Sequence, residues 1–150
     1  MWLLCGLDDE NYAYPDYQWF DTRQKAMQGA IKNLPEIFEG ACSGKFDIEG
    51  NRISIDFFDV YDKYDHFYVY EMFEVNKEYA LVYHHAYNGV DFEVKEFDTR
   101  SEAIIQMSRD YNDLQNPEYT EDNEIDTSRG TAFVDDGTEW HIWNILRKGE

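Results

Sequence analysis

The chain is poor in the residues that usually announce a ready-made chemistry. Its 150 residues include only two cysteines, Cys5 and Cys42, which form neither a metal-ligand spacing nor a disulfide framework. They read as buried, reduced thiols of a cytoplasmic protein. Basic residues are also scarce, 13 against 32 acidic ones, giving a formal net charge of −19 and a pI near 4.3. Such a chain repels nucleic acid and anionic membrane and is drawn to basic surfaces. No apolar run approaches the ~20 residues needed to cross a bilayer. The first seven residues lack a basic region, are too short for a signal core, and read as a strand. No catalytic or cofactor motif survives inspection, so no cofactor is expected.

What the chain does have is a repeat. Phe20-Asp21-Thr22-Arg23 returns 77 positions later as Phe97-Asp98-Thr99-Arg100. Each copy is followed by an alanine and a long aliphatic residue, Ala26-Met27 and Ala103-Ile104. An aromatic strand end, Asp-Thr and a helical pattern make a strand-to-helix junction with Thr as N-cap. Thr99 and Glu102 have capping-box spacing, whereas the first copy has Lys25 at that place. Ala26, Met27, Ala30, Ile31 and Leu34 form one helical stripe, and Ala103, Ile104, Met107, Tyr111 and Leu114 the other. Pro35 breaks or kinks the first helix, and residues 40–44 read as a turn cluster.

Around these helices lie strands. Residues 52–57 alternate as a half-buried strand, 61–65 bend, and 67–75 return. In the second half, 79–87 and 90–97 flank Asn88-Gly89, a strong hairpin signal. A two-residue loop pairs Tyr87 with Val90, His85 with Phe92 and Tyr83 with Val94, all on one apolar face. His84 and Glu93 then lie opposite each other on the outer face. Residues 130–135 and 138–146 surround Asp136-Gly137 as a last hairpin. Each half therefore reads ββαββ, an α+β architecture of two pseudo-repeated antiparallel sheets, each with one helix on a face, over 1–76 and 77–150.

Four histidines are available for acid–base or metal chemistry: His66, His84, His85 and His141. His84 opposite Glu93 resembles half an acid–base pair, and with His141 it is the basis of an alternative reading as a small enzyme or ligand-binding domain. No nucleophile motif accompanies them, and on this register no two histidines share a face at ligand spacing. His85, on the apolar face, reads as a core residue. Asp122, Glu124, Asp126 and Ser128 alternate as in a calcium loop, but Thr127 replaces the required glycine and Phe133 the closing glutamate. No metal is expected.

The negative charge is clustered. Asp110, Asp113, Glu118, Glu121, Asp122, Glu124 and Asp126 occur without one basic residue between 110 and 126. Asp56, Asp59, Asp62 and Asp65 form a second group and Asp8-Asp9-Glu10 a third. Tyr12, Tyr14, Tyr61, Tyr64 and Tyr119 are interleaved with them. Carboxylates steer association with cationic grooves, and tyrosines supply rigid contact area. The alternatives are a solvated acidic loop set or salt adaptation, for which charge would be spread evenly.

This composition resembles the small acidic proteins of phages and mobile elements that block host nucleases, anti-CRISPR and antirestriction proteins among them. Bacterial immunity proteins look similar on the same grounds. The likeness covers the whole chain but is compositional, so no site residue carries over. It implies a non-catalytic inhibitor whose partner is a basic nucleic-acid-binding protein, a nuclease or CRISPR effector, without direct contact to nucleic acid or membrane. A homodimer stays open. The carboxylates above, with Tyr64 and Tyr119, are the expected contact residues.

Overall fold

Thr22 and Thr99 start their helices in the same way. Both are extended (φ −133°, ψ 156° and φ −126°, ψ 152°), and each hydroxyl accepts the backbone N–H three residues on, from Lys25 at 3.2 Å and Glu102 at 3.3 Å. The arginine of each copy then reaches away from the helix. Arg23 donates to the Gly50 carbonyl (2.7 Å) and the Asn51 side-chain oxygen (2.8 Å). Arg100 donates to the carbonyls of Thr127 and Ser128, both at 2.9 Å. Residues 50 and 51 are again 77 positions before 127 and 128. The repeated four residues are thus a structural device: aromatic strand end, helix cap and a guanidinium that ties the helix start to a distant turn.

The computed structural model describes residues 1–32, 34–39, 41–86 and 90–150, leaving aside the side chains at 37 and 41–43. It divides into two units, Met1–Glu74 and Val75–Glu150. The first comprises β1 (Trp2–Asp8), β2 (Asp16–Phe20), α1 (Arg23–Ile31), the four-residue α2 (Leu34–Ile37), β3 (Ala41–Glu49), β4 (Arg52–Asp59) and β5 (Asp65–Glu74). The strands make one antiparallel sheet ordered β2-β1-β5-β4-β3. Pro35 sits in the first turn of α2, where its missing N–H has no intrahelical partner to lose. Under α1 lies a core of Leu4, Ala26, Ala30, Ile53, Ile55 and Met72, with Phe20 and Tyr70 packed against it. Gly29 faces the Phe20 ring so closely that a Cβ there would stand 2.5 Å from Cζ.

The second unit repeats the plan: β6 (Tyr79–Ala86), β7 (Asp91–Phe97), α3 (Arg100–Asp113), β8 (Glu124–Asp126), β9 (Thr131–Asp135) and β10 (Trp140–Arg147), ordered β7-β6-β10-β9-β8. Phe20 pairs with Trp2 and Phe97 with Tyr79, equivalent ends of equivalent ladders. Leu81, Met107, Ala132, Val134 and Trp143 form the core beneath α3. The architecture is α+β with two similar sheet-plus-helix halves, as expected, but each sheet has five strands. The fifth is β3 in one half, which takes in most of the expected 40–44 turn, and the short β8 in the other.

The register of the β6–β7 pair differs from expectation. His84 pairs with Phe92, His85 with Asp91 and Tyr83 with Glu93, one residue from the pairing a two-residue loop would set. Asn88-Gly89 itself falls outside the described residues. A one-residue slip exchanges the two faces of a strand, so His84 is the buried histidine and His85 the half-exposed one. Alternation failed here because Ala80, Leu81 and Val82 are all buried, leaving β6 without a polar face to read.

The shared clamp predicts how the halves respond to damage. Arg100→Ala should destabilise the protein by about 1.5–3 kcal/mol, the usual range for hydrogen bonds made by a charged donor. The more exposed Arg23→Ala should cost less. Urea unfolding of both variants, followed by far-UV circular dichroism, is the measurement; a neutral Arg100→Ala would show that the clamp is incidental.

Candidate functional site

Two of the sequence's acidic clusters meet at one end of the first unit. The 59–64 turn is set by its own aspartates: Asp59 accepts the Tyr61 N–H at 2.7 Å, and Asp62 accepts that of Tyr64 at 2.9 Å. The Lys63 N–H also donates to the Asp59 carbonyl (2.9 Å), with Lys63 itself at φ 64°. In the neighbouring loop Asp8 accepts the Glu10 N–H (2.8 Å) and the Asn11 side-chain amide (3.0 Å). His66 joins them, its Nδ1 2.8 Å from Asp9 and its Nε2 2.5 Å from Asp62, while its ring stacks on Phe57 at 5.4 Å.

Both imidazole nitrogens therefore face carboxylates, and only the protonated ring can donate to both. Burial opposes the charge, but the hydrogen bonds and negative charge of Asp62 and Asp9 outweigh it and raise the His66 pKa above 6.5. The Tyr64 N–H, with help from His66, holds Asp62 below its ordinary value against the effect of desolvation. Around this clip Tyr14, Tyr61 and Tyr64 are 80%, 86% and 71% exposed, and Asp56 and Asp65 are exposed as well.

The acidic stretch of the second unit is divided among three elements. Asp110 and Asp113 lie in the last turn of α3. Glu118, Tyr119, Glu121 and Asp122 are exposed on the connection to β8, which is ordered by local bonds. Asn116 donates to the Asp136 carbonyl at 3.0 Å, and Asn123 accepts the Asp135 N–H at 2.8 Å. Tyr119 packs on Gly137, whose φ of +91° the turn requires. With Asp135 this segment lines an acidic hollow of about 260 Å³. Glu124 and Asp126 belong to β8, and Asp126 is occupied by its own turn, accepting Ser128 Oγ at 2.5 Å and the Ser128 and Arg129 N–H groups. Those bonds lower its pKa. The would-be calcium loop is thus partly strand.

His84, Glu93 and His141 are not brought together. His84 lies on the face of β6 opposite Tyr83, while Glu93 and His141 sit on the Tyr83 side. What the sheet assembles instead is a network that sequence reasoning missed. His85 and His141 are direct cross-strand neighbours on one face, a pairing the expected register did not give, although no three-ligand group among the described residues contains two histidines. His141 Nδ1 is 2.7 Å from the Tyr83 hydroxyl and its Nε2 2.8 Å from Asp136; His85 Nδ1 is 3.0 Å from Glu139. The one sequence cue was Asp136-Gly137, a tight turn that returns His141 to its own aspartate.

A tyrosine, histidine and aspartate in line resemble a nucleophile with base and orienting group. The charges argue otherwise: burial, together with Glu139, Glu93, Asp136 and Asp110, pushes the Tyr83 pKa up to about 12, away from an activated phenolate. Among the described residues, two groups could hold a metal ion, each placing three ligand atoms within 4.8 Å of one another: Glu10/Asp62/His66 and Asp136/Glu139/His141. In both, the histidine already has a carboxylate partner. No helix among the described residues is long and apolar enough to cross a membrane.

The His66 clip carries a signed pH dependence. A raised histidine pKa contributes stability below the unfolded value of about 6.5 that is lost as pH rises through the folded value. The lowered Asp62 contributes above about 3.8 and loses that contribution as pH falls through its folded value. The clip should be firmest between about pH 4 and 6.5 and should loosen as pH rises through the raised folded value of His66. An NMR titration of His66 should give a midpoint above about 6.5, and His66→Gln should flatten the stability–pH curve above about pH 6.5. A midpoint at or below 6.5 would contradict the geometry.

No family model, curated protein or solved structure matches this chain.

Proposed function

We propose that the protein is a non-catalytic binding protein that occupies the basic groove of a nucleic-acid-handling enzyme, a nuclease or CRISPR effector, with a carboxylate- and tyrosine-rich surface. The observation that carries this reading is the end of the first unit, where His66 pins together two acidic loops that carry the exposed Tyr14, Tyr61 and Tyr64. Unpinned acidic loops would suit solubility alone. Loops held by Asp8, Asp59, Asp62 and His66 present their carboxylates and rings already ordered, which reduces the entropy lost on association. A net charge of −19 steers the encounter, and the tyrosines supply anchors that exclude water. The ordered 118–122 segment around Tyr119 offers a second contact patch of the same chemistry.

The local bonding decides which charges to test. Asp59 and Asp62 hold their turn, so reversing them would disturb the backbone. Asp56→Lys/Asp65→Lys and Glu121→Lys/Asp122→Lys change exposed groups, for which stability effects stay within about 0.5 kcal/mol each. A pull-down from host lysate at low salt, eluted at high salt, identifies the partner. Against it, each charge-reversed pair should slow association, and the effect should shrink as salt screens the attraction. Tyr64→Ala or Tyr61→Ala should cost about 2 kcal/mol, chiefly through faster dissociation. Affinity that is insensitive to salt and unchanged in both charge-reversed pairs would remove the electrostatic mechanism.

A further inference from the structure

The two halves carry a pocket at the same place, and only one of them is open. In the first unit Leu4, Gly6, Asp16, Gln18 and Tyr70 surround about 30 Å³. In the second, their ladder equivalents Leu81, Tyr83, Glu93, Lys95 and Trp143 surround about 260 Å³. The first is nearly filled because the Tyr70 ring lies over Gly6, where a Cβ would stand 2.6 Å from it. The second is also built differently above the sheet. Helix α3 has 14 residues against nine in α1, and the added length brings Asp110, Asp113 and the cap residue Leu114 over the cavity.

The lining selects a charge type. The floor is apolar and aromatic, with the Tyr83 and Trp143 ring centroids 5.3 Å apart. The rim has three carboxylates, Glu93 of β7 and, at the carbonyl end of α3, Asp110 and Asp113; the last turn of that helix contains no basic residue. A helix C-terminus favours a cation, and here its own residues add negative charge instead. Lys95 is the one cation of the lining, 4.0 Å from Glu93 and 3.9 Å from Asp110, half-exposed and at the limit of ion pairing. An anionic ligand is excluded by this rim. A bare metal ion is disfavoured by the aromatic floor, and these carboxylates are in neither three-ligand group among the described residues. The volume is below the ~300–1,000 Å³ of drug-sized pockets and suits a group the size of one side chain.

We propose that this pocket binds an organic monocation of the alkylguanidinium or alkylammonium class, its head group against the partly exposed Tyr83 ring, which is backed by the buried Trp143, and paired with Asp110, Asp113 and Glu93. Cations stack favourably on such rings, and a guanidinium can also pair with carboxylates in a planar fork. An arginine side chain of a basic protein and a free small guanidinium compound offer the same head. The inference is independent of the acidic surface on the first unit.

The test is a titration of the full chain with N-butylguanidinium, N-butylammonium and the neutral isostere N-butylurea, followed in amide NMR spectra. The cations should give saturable shifts at residues 81, 83, 93, 113 and 114, and N-butylurea should not. Asp113→Asn with Glu93→Gln should weaken binding about fivefold, and Lys95→Gln should tighten it more than Lys148→Gln does. An arginine-bearing heptapeptide and its citrulline counterpart distinguish the sources: binding about tenfold tighter than N-butylguanidinium, lost with citrulline, assigns a protein side chain, and equal binding assigns a small molecule. Shifts spread over the acidic surface, equal binding of N-butylurea, or an unaffected double variant would overturn the proposal. Loss of the pocket with binding of the captured partner intact would leave the acidic-surface reading standing, and the reverse pattern would remove only that reading.

Discussion

Each half ties its helix start to a distant turn through one guanidinium. Arg23 and Arg100 follow the helix-capping threonine and donate to the turn between the last two strands of the order, about 27 residues downstream. That contact fixes the helix start against the far side of its sheet, so the helix axis, the core beneath it and the position of the outer strands are set together. It also explains why these four residues are repeated while most of the sequence is not. Phe closes a strand ladder, Thr satisfies an orphan amide, and Arg satisfies carbonyls that a turn leaves without partners.

On this common frame the halves, which differ over most of their sequence, diverge most tellingly at a few equivalent places. Where the first unit has Gly6 under Tyr70, the second has Tyr83 beside Trp143. Tyr68 has His141 as its counterpart, which brings Asp136 and Tyr83 into one hydrogen-bonded line. The longer α3 then adds aspartates over the opened cavity. The first unit keeps a filled pocket and places its polar chemistry in the loops, around His66. Both outcomes use histidine to organise carboxylates, in a chain whose excess negative charge would otherwise push those carboxylates apart.

The parts legible in the sequence were those governed by neighbours in the chain. Thr22 and Thr99 as caps, the break before Pro35, the two helices and the duplicated α+β plan all follow from patterns a few residues long. The fifth strands escaped because β3 begins in Gly- and Ser-bearing sequence and β8 is three residues long, neither with an alternation strong enough to register. The β6–β7 register was misjudged because the strand is buried on both sides at Ala80, Leu81 and Val82. Of the expected contact residues, Asp56, Tyr64, Asp65, Asp113, Glu118, Tyr119, Glu121, Asp122 and Glu124 stand exposed. Asp59, Asp62 and Asp126 are partly taken up in holding their own turns.

The sequence by itself determined the repeat, the charge, the caps and the helix faces, because each is decided by local backbone preference or by simple composition. The tertiary structure alone decided which distant groups meet. His66 lies 57 residues from Asp9, and Tyr83 lies 58 from His141. No local preference encodes such pairs. They arise when antiparallel strands are locked in one register, and a shift of a single residue in β6 would turn Tyr83 and His85 to the other face and leave the Tyr83–His141 network unmade.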